Sequence, residues 1–491
     1  MRHASFARAS TSLRFASLLA LGSFFFAVSG TACGSSSGTI GDTGGPGTDA
    51  SIGNTDGGGD PGVDSGRATD AGKDGSYTGP ILIKHVVVFV KENHTFDNYF
   101  GTFPGAEGTT KCKTSMGVID CPHAVDPVVH DMCHEHDCAL TAWNHGKMDS
   151  WDSVPPTKGG DYLLPYGQYH EEDIPNYWAY AKAYTLGDHF FSGMLGPSFP
   201  GHFFTIAAQA GWAIGNPDLQ FTNPYWGCDQ KSSTRIPIQD QNICAQQNIF
   251  PCFKIPSVPD VLPKGINWKF YGTVVPVVGT EPWSMFDAVD SVRNVPSQWA
   301  HVVDDAQFET DIANKKLPEV SWVANQWLQS EHPNPGNICN TFADCSICRG
   351  ENWTVQKINA IMASDYWKDT AIIITMDDWG GWYDHVPPPR QYGCDPKEAY
   401  GLGFRLPLII ISPYAKPHYI FKEVSEQASI PRFIERVMGS TQTLSDLDPA
   451  AQDGQANDLL GAFDFTQKPL PPLTHRENGK DVPGLALRTC P

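Results

Sequence analysis

The 491-residue chain carries 34 Lys and Arg against 54 Asp and Glu, a formal net charge of −20, with 41% hydrophobic residues and 13 cysteines. Such acidity excludes a nucleic-acid partner, because that affinity rests on neutralising phosphates with Lys and Arg. The apolar share is enough for a large core.

Along the chain, Arg2, Arg8 and Arg14 precede an apolar run from Phe15 to Val28 and the small residues before Cys33. Residues 1–33 therefore have the anatomy of a secretory signal, with an apolar run too short to span a bilayer. Small residues before Cys33 resemble a lipoprotein processing site, although Gly30 stands where Leu is usual; the alternative is cleavage to a freely secreted product. The expectation is export, with Cys33 as a lipid anchor to the membrane surface of the cell envelope. Residues 34–80 are Gly, Ser, Thr, Asp and Pro with almost nothing apolar, which predicts an unstructured linker. Residues 81–491 form the predicted catalytic domain.

From residue 81, apolar runs of strand length alternate with helical patterns, which predicts an α/β fold around a largely parallel central sheet. The first strand, His85 to Val90, runs into Glu92-Asn93. Ligands in open α/β sheets collect outside the carboxyl ends of strands, and an unpaired carboxylate there is costly. The following Asp97 and Asn98 read as exposed positions of a helix that Asn93 caps. Setting Cys33 aside leaves twelve cysteines, which in an exported chain predict disulfides. The groups Cys112, Cys121, Cys133, Cys138 and Cys339, Cys345, Cys348 are the weaker zinc candidates, and sequence does not reveal the pairing. His134 and Trp143 to Asp149 follow within a long irregular stretch.

Gly196-Pro197-Ser198-Phe199-Pro200-Gly201 precedes an apolar helical stretch, His202 to Trp212. Pro200 suits a first helical turn, placing Ser198 where backbone N–H groups favour an anion. Alone Ser198 reads as a cap; beside a metal it reads as a phosphate-attacking nucleophile. Val320 to Ala324 is strand-like and leads to Ser330-Glu331-His332-Pro333. Lys357 to Ala363 is helical in period, Ala371 to Thr375 is a buried strand, and Asp377-Asp378 follows it directly before Gly380-Gly381. Two isolated aspartates read as a solvated turn. An apolar strand in front, aromatic surroundings and His385 nearby favour a hard-metal site instead, because carboxylate and amide oxygens suit a divalent cation. Arg405 to Ile411 reads as a further strand and Ser429 to Met438 as a helix.

The segments Lys91 to Gly101, Trp143 to Asp149, Gly196 to Pro200, Ser330 to Pro333, Thr375 to Pro389 and Gly403 to Pro407 together resemble the bacterial phosphoesterase family. That family contains phosphatidylcholine-type phospholipases C and a respiratory-burst-inhibiting acid phosphatase. The resemblance implies an alkaline-phosphatase-like α/β/α sandwich. It also implies a metal held by Glu92, Asn93, Asp377 and Asp378, with Ser198 as nucleophile and His134 and His332 at the phosphate; the oxygen donors admit one divalent ion, Ca, Mn or Zn, without choosing among them. The expected activity is phospholipase C-like hydrolysis of phospholipid head groups. An acid phosphatase on small phosphate monoesters and a non-catalytic surface-binding lipoprotein are the alternatives; a sulfatase-like hydrolase lacks its Cys/Ser-x-Pro-x-Arg sequence near residue 198. Three departures bear on the lipid. Many phospholipase members have Thr at the nucleophile and Asn-Arg after the following Pro, where this chain has Ser198 and Gly201-His202. Glu426-Gln427-Ala428-Ser429 replaces an Asp-His-Thr-Ser block, and the sequence stops near 491 without the additional C-terminal β domains of longer phospholipases.

Overall fold

The computed structural model describes residues 77–490, apart from 129, 155–160, 218–225, 241–244, 273–283, 334–345 and 390–400. The signal, lipid-anchor and most of the linker expectations lie outside the described residues, as do Cys339 and Cys345. Among the described residues, no helix is long and apolar enough to cross a membrane.

The core element is a nine-stranded sheet. In chain order its strands are His85–Lys91 (β1), Thr185–Phe191 (β2), Trp268–Tyr271 (β3), Val302–Val303 (β4), Val320–Val323 (β5), Thr370–Met376 (β6), Arg405–Ile411 (β7), Tyr419–Phe421 (β8) and Ser425–Glu426 (β9). In space they run β8, β2, β7, β6, β1, β5, β3, β4, with β9 also on β2. Every pairing is parallel except those of β7, which is antiparallel to both β6 and β2. The sheet is thus mixed and mostly parallel. A continuous apolar run such as Leu406 to Ile411 encodes burial on both faces, but not direction.

Side-chain alternation shows the two covering layers. Phe89 meets Phe308 and Trp353 edge-on, at 6.3 and 6.1 Å, on the helices Gln307–Ala313 and Ile347–Met362. Val88 and Val90 point the other way, toward His202, Thr205 and Ile206 on the helix Ser198–Ala207. Val86 to Phe89 and Ala371 to Ile373 are fully buried.

Several local expectations need correction. The helix read from His202 begins at Ser198 and ends at Ala207, and the one read from Lys357 begins at Ile347. Thr95, not Asn93, caps the short helix Phe96–Phe100, its hydroxyl accepting from the Asn98 N–H. Asp97 and Asn98 are buried rather than exposed. Cys112–Cys121, Cys133–Cys138, Cys228–Cys252 and Cys348–Cys490 are disulfides, so the first candidate zinc group is two bridges instead.

Candidate active site and metal centre

β1 and β6 are parallel neighbours in register, Lys91 opposite Met376, so the residues after them emerge at one edge of the sheet. The Asp377 N–H donates to the Lys91 carbonyl at 2.9 Å, and the Asn93 N–H donates to Asp377 Oδ1 at 2.9 Å. To make that contact Asn93 sits in the left-handed region, φ 67°. Past Asp378 the chain turns through Gly380 and Gly381, both with positive φ, and a Cβ on Gly380 would strike the Asn93 backbone. The Gln427 amide donates to the carbonyls of Met376 (3.2 Å) and Asp377 (2.5 Å), fixing this corner from the segment that departs from the family block.

The start of the helix Ser198–Ala207 is pushed into the same corner. Gly201 lies against the Asp377 carbonyl, where a Cβ would collide. Ser198 Oγ donates to Asp378 Oδ2 at 3.1 Å. One helical turn later, His202 Nε2 lies 2.6 Å from Glu92 Oε1 and 3.7 Å from Asp377 Oδ2. Ligand atoms of Glu92, His202 and Asp377 all lie within 4.8 Å of one another. Sequence reasoning passed over His202. The available signal was its i+4 spacing from Ser198, which puts both on one helix face.

His134 and His332 complete the cluster. Their rings are 5.8 Å apart, and the Trp379 indole holds the His134 carbonyl at 3.0 Å. The structure therefore brings Glu92, Asn93, Ser198, Asp377, Asp378, His134 and His332 into one site. His385 lies outside it, 2.6 Å from Asp97 in a network with Asp384 and the buried Arg405. Every member of the cluster is buried, with the least cover on the side of Asp131 and His134, whose side chains are 21% and 10% exposed.

The electrostatics fit a cation. Burial, then the Glu92 carboxylate, pushes Asp377 up to about 8, eased by His202. Burial raises Glu92 well above the usual range, and burial with the Asp377 charge does the same to Asp378. Burial lowers His202 to about 4, so it supplies no compensating charge. Burial also opposes charge on His134, but the carboxylates of Asp378, Asp131 and Glu135 outweigh it and raise the ring to about 10. Three carboxyl groups packed in a dry corner are costly to ionise without a positive partner, the situation in which proteins coordinate metals.

The Asn93 amide points the same way. One end lies 3.0 and 3.1 Å from the two Asp377 oxygens and 3.2 Å from Glu92 Oε2; the other lies 2.8 Å from His332 Nε2. His332 Nδ1 is 2.6 Å from the Pro333 carbonyl and so carries a proton. Burial lowers the His332 pKa, which favours a neutral ring whose Nε2 accepts from the Asn93 NH₂. That turns the amide oxygen toward three carboxylate oxygens, a contact that a cation relieves. With the amide reversed its nitrogen would satisfy the carboxylates, at the cost of a second proton on the buried His332 ring.

The Phosphoesterase family model matches residues 83–440. Phospholipase C A of Mycobacterium tuberculosis is 25% identical over 449 residues, spanning 80% of each chain. Non-hemolytic phospholipase C of Pseudomonas aeruginosa is 27% identical over 450 residues, 80% of this chain and 59% of that one. Among solved structures, a protein of the alkaline phosphatase superfamily from Vibrio parahaemolyticus aligns over 82% of this chain and 74% of its own. Its identity is 10% and its TM-score 0.34.

Proposed function

We propose, from the premise that this chain belongs to the Phosphoesterase family and is a phosphoric ester hydrolase, that it is a metal-dependent phospholipase C-like phosphodiesterase with Ser198 as its nucleophile. The observation that carries the reading is the Ser198 hydroxyl at a helix start, 3.1 Å from Asp378 and in one buried cluster with Glu92 and Asp377. The phospholipid substrate class is carried over from relatives whose names specify phospholipase C. Export through residues 1–33, anchoring at Cys33 and a catalytic domain over residues 81–491 belong to the same reading.

Glu92, Asn93, Asp377 and Asp378 would hold one divalent cation, with the His202 imidazole adjoining. An imidazole among oxygen donors favours Mn or Zn over Ca. When bound, the cation supplies positive charge that lowers the hydroxyl pKa and offsets charge on phosphate oxygens.

Ser198 Oγ attacks phosphorus, its proton passing to Asp378 Oδ2, while the bond from phosphorus to the alcohol oxygen breaks. His134, held as an imidazolium by its carboxylate neighbours, gives the departing oxygen its proton. His332 orients Asn93 and lines the phosphate-facing wall beside His134. Water then attacks the phosphoserine, giving one proton to His134, and Ser198 recovers its own from Asp378. The net change is phosphodiester plus water to alcohol plus phosphomonoester.

The experiment is hydrolysis of p-nitrophenyl phosphorylcholine and p-nitrophenyl phosphate by the wild type, Ser198→Ala and Asp377→Asn. Both substitutions should abolish turnover, and the wild type should prefer the diester. Full activity in both variants would overturn the site. A preference for the monoester would leave the site standing but replace the lipid reading with a phosphatase.

A further inference from the structure

Three consecutive residues at the end of β1 are clasped to three consecutive residues of the loop Ser330 to His332. Lys91 Nζ lies 3.2 Å from Glu331 Oε1, the Glu92 N–H donates to the Ser330 carbonyl at 3.0 Å, and the Asn93 amide lies 2.8 Å from His332 Nε2. The second and third contacts involve the cation donors Glu92 and Asn93 themselves. The first does not, and both of its side chains are fully buried.

Lys91 has three N–H donors and three acceptors: the Gln329 carbonyl at 2.6 Å, Asn325 Oδ1 at 3.0 Å and the Glu331 carboxylate. That carboxylate also accepts from the hydroxyls of Tyr99 (2.7 Å) and Tyr177 (2.6 Å). Gly350, on the helix Ile347–Met362, lies against the Glu331 side chain, where a Cβ would collide. A scaffold of this kind could be built on ordinary backbone. Glu331 instead stands at φ 77°, in the left-handed region that residues with a Cβ rarely adopt. Such a conformation persists where its surroundings over-determine it, and the contacts on the Glu331 side chain do so here. What the turn sets is the next residue. The His332 backbone N–H reaches back to the Ser330 hydroxyl at 3.1 Å, and its ring faces Asn93.

We infer that Glu331 is a positioning residue, which through the clasp with Lys91 fixes His332, and with it the Asn93 amide, at the reaction centre. The inference rests on the reading of that cluster as a phosphodiesterase site. Glu331 touches neither substrate nor cation in this role. It acts through the direction it gives His332, as the supporting contacts of a precise site do.

The test compares wild type, Glu331→Gln, Lys91→Met and Lys91→Met/Glu331→Gln for hydrolysis of p-nitrophenyl phosphorylcholine and for denaturant midpoint. It also follows the His332 ring signals by NMR without substrate, assigned with His332→Gln. Glu331→Gln should lower kcat by about 10–100-fold and leave KM nearly unchanged. The double variant strands no charge, so its midpoint should recover relative to Lys91→Met while kcat stays low and the His332 signals remain displaced. A kcat that recovers together with stability, or His332 signals at their wild-type positions in the folded double variant, would overturn the positioning role. Absence of hydrolysis by the wild type would overturn the phosphodiesterase reading instead, and the ring signals would still decide the clasp.

Discussion

His202 Nε2 and Glu92 Oε1 lie 2.6 Å apart inside the protein, joining the helix Ser198–Ala207 to the end of β1. Burial disfavours charge on both partners. Removing the imidazole leaves Glu92 without its orienting partner. His202→Ala should therefore weaken the response of activity to added metal by about 10–100-fold. The check is turnover against free Mn²⁺ or Zn²⁺, and an unchanged midpoint would refute the role.

Chelation should act on stability as well as rate. A cation that binds only the folded state at about 100 times its dissociation constant contributes about 2.7 kcal/mol. EDTA is expected to abolish hydrolysis and lower the urea midpoint, and the lowering should shrink in Asp377→Asn. Equal sensitivity to EDTA in both proteins would mean that the stabilising metal lies elsewhere.

Lys91 and Glu331 form a fully buried ion pair, 3.2 Å apart, and Glu331 also accepts from Tyr99 (2.7 Å) and Tyr177 (2.6 Å). Breaking one side strands a charge, so Lys91→Met should cost about 3–5 kcal/mol. Adding Glu331→Gln to that variant should cost less than the sum of the two single changes, because the stranded carboxylate is then gone. Denaturant unfolding of the three variants decides it; strict additivity would show that the two residues are uncoupled.

Glu435 sets an expected pH dependence. Burial, then the Asp453 carboxylate, raises its pKa to about 8, opposed by the Leu444 N–H and by Arg432. Folded protein thus keeps a proton that the unfolded chain loses above about 4.5. This contribution is fully present below the unfolded value and is lost as pH rises toward about 8. Glu435→Gln should flatten the fall in stability across that window by about 1–2 kcal/mol. Parallel urea curves for the two proteins at about pH 5 and about pH 8 would contradict it.

What sequence could reveal was set by how local its causes are. The ends of β1 and β6 were legible because continuous apolar runs stop at oxygen-bearing side chains, and the register of parallel neighbours then brings Glu92 to Asp377. The antiparallel sense of β7 was not, since an apolar run has no direction. Asp97 read as exposed because its partner, Arg405, is 308 residues away. His202 was missed because its meaning depends on Glu92, 110 residues earlier, rather than on its neighbours. Gln427 appeared only as a departure from the family block, and its hold on the Asp377 carbonyl became visible in three dimensions.

β1 pairs with a strand contributed from far along the chain, and the contact that closes the corner, Asn93 to Asp377, spans 284 residues. Synthesis runs from the amino end, so no nascent fragment that stops short of residue 377 can assemble the charged corner. A cell making the protein therefore handles a polypeptide without this corner for most of translation, and a truncated product would lack it altogether. Timing of this kind needs no inhibitor or propeptide, since it follows from which strands lie side by side.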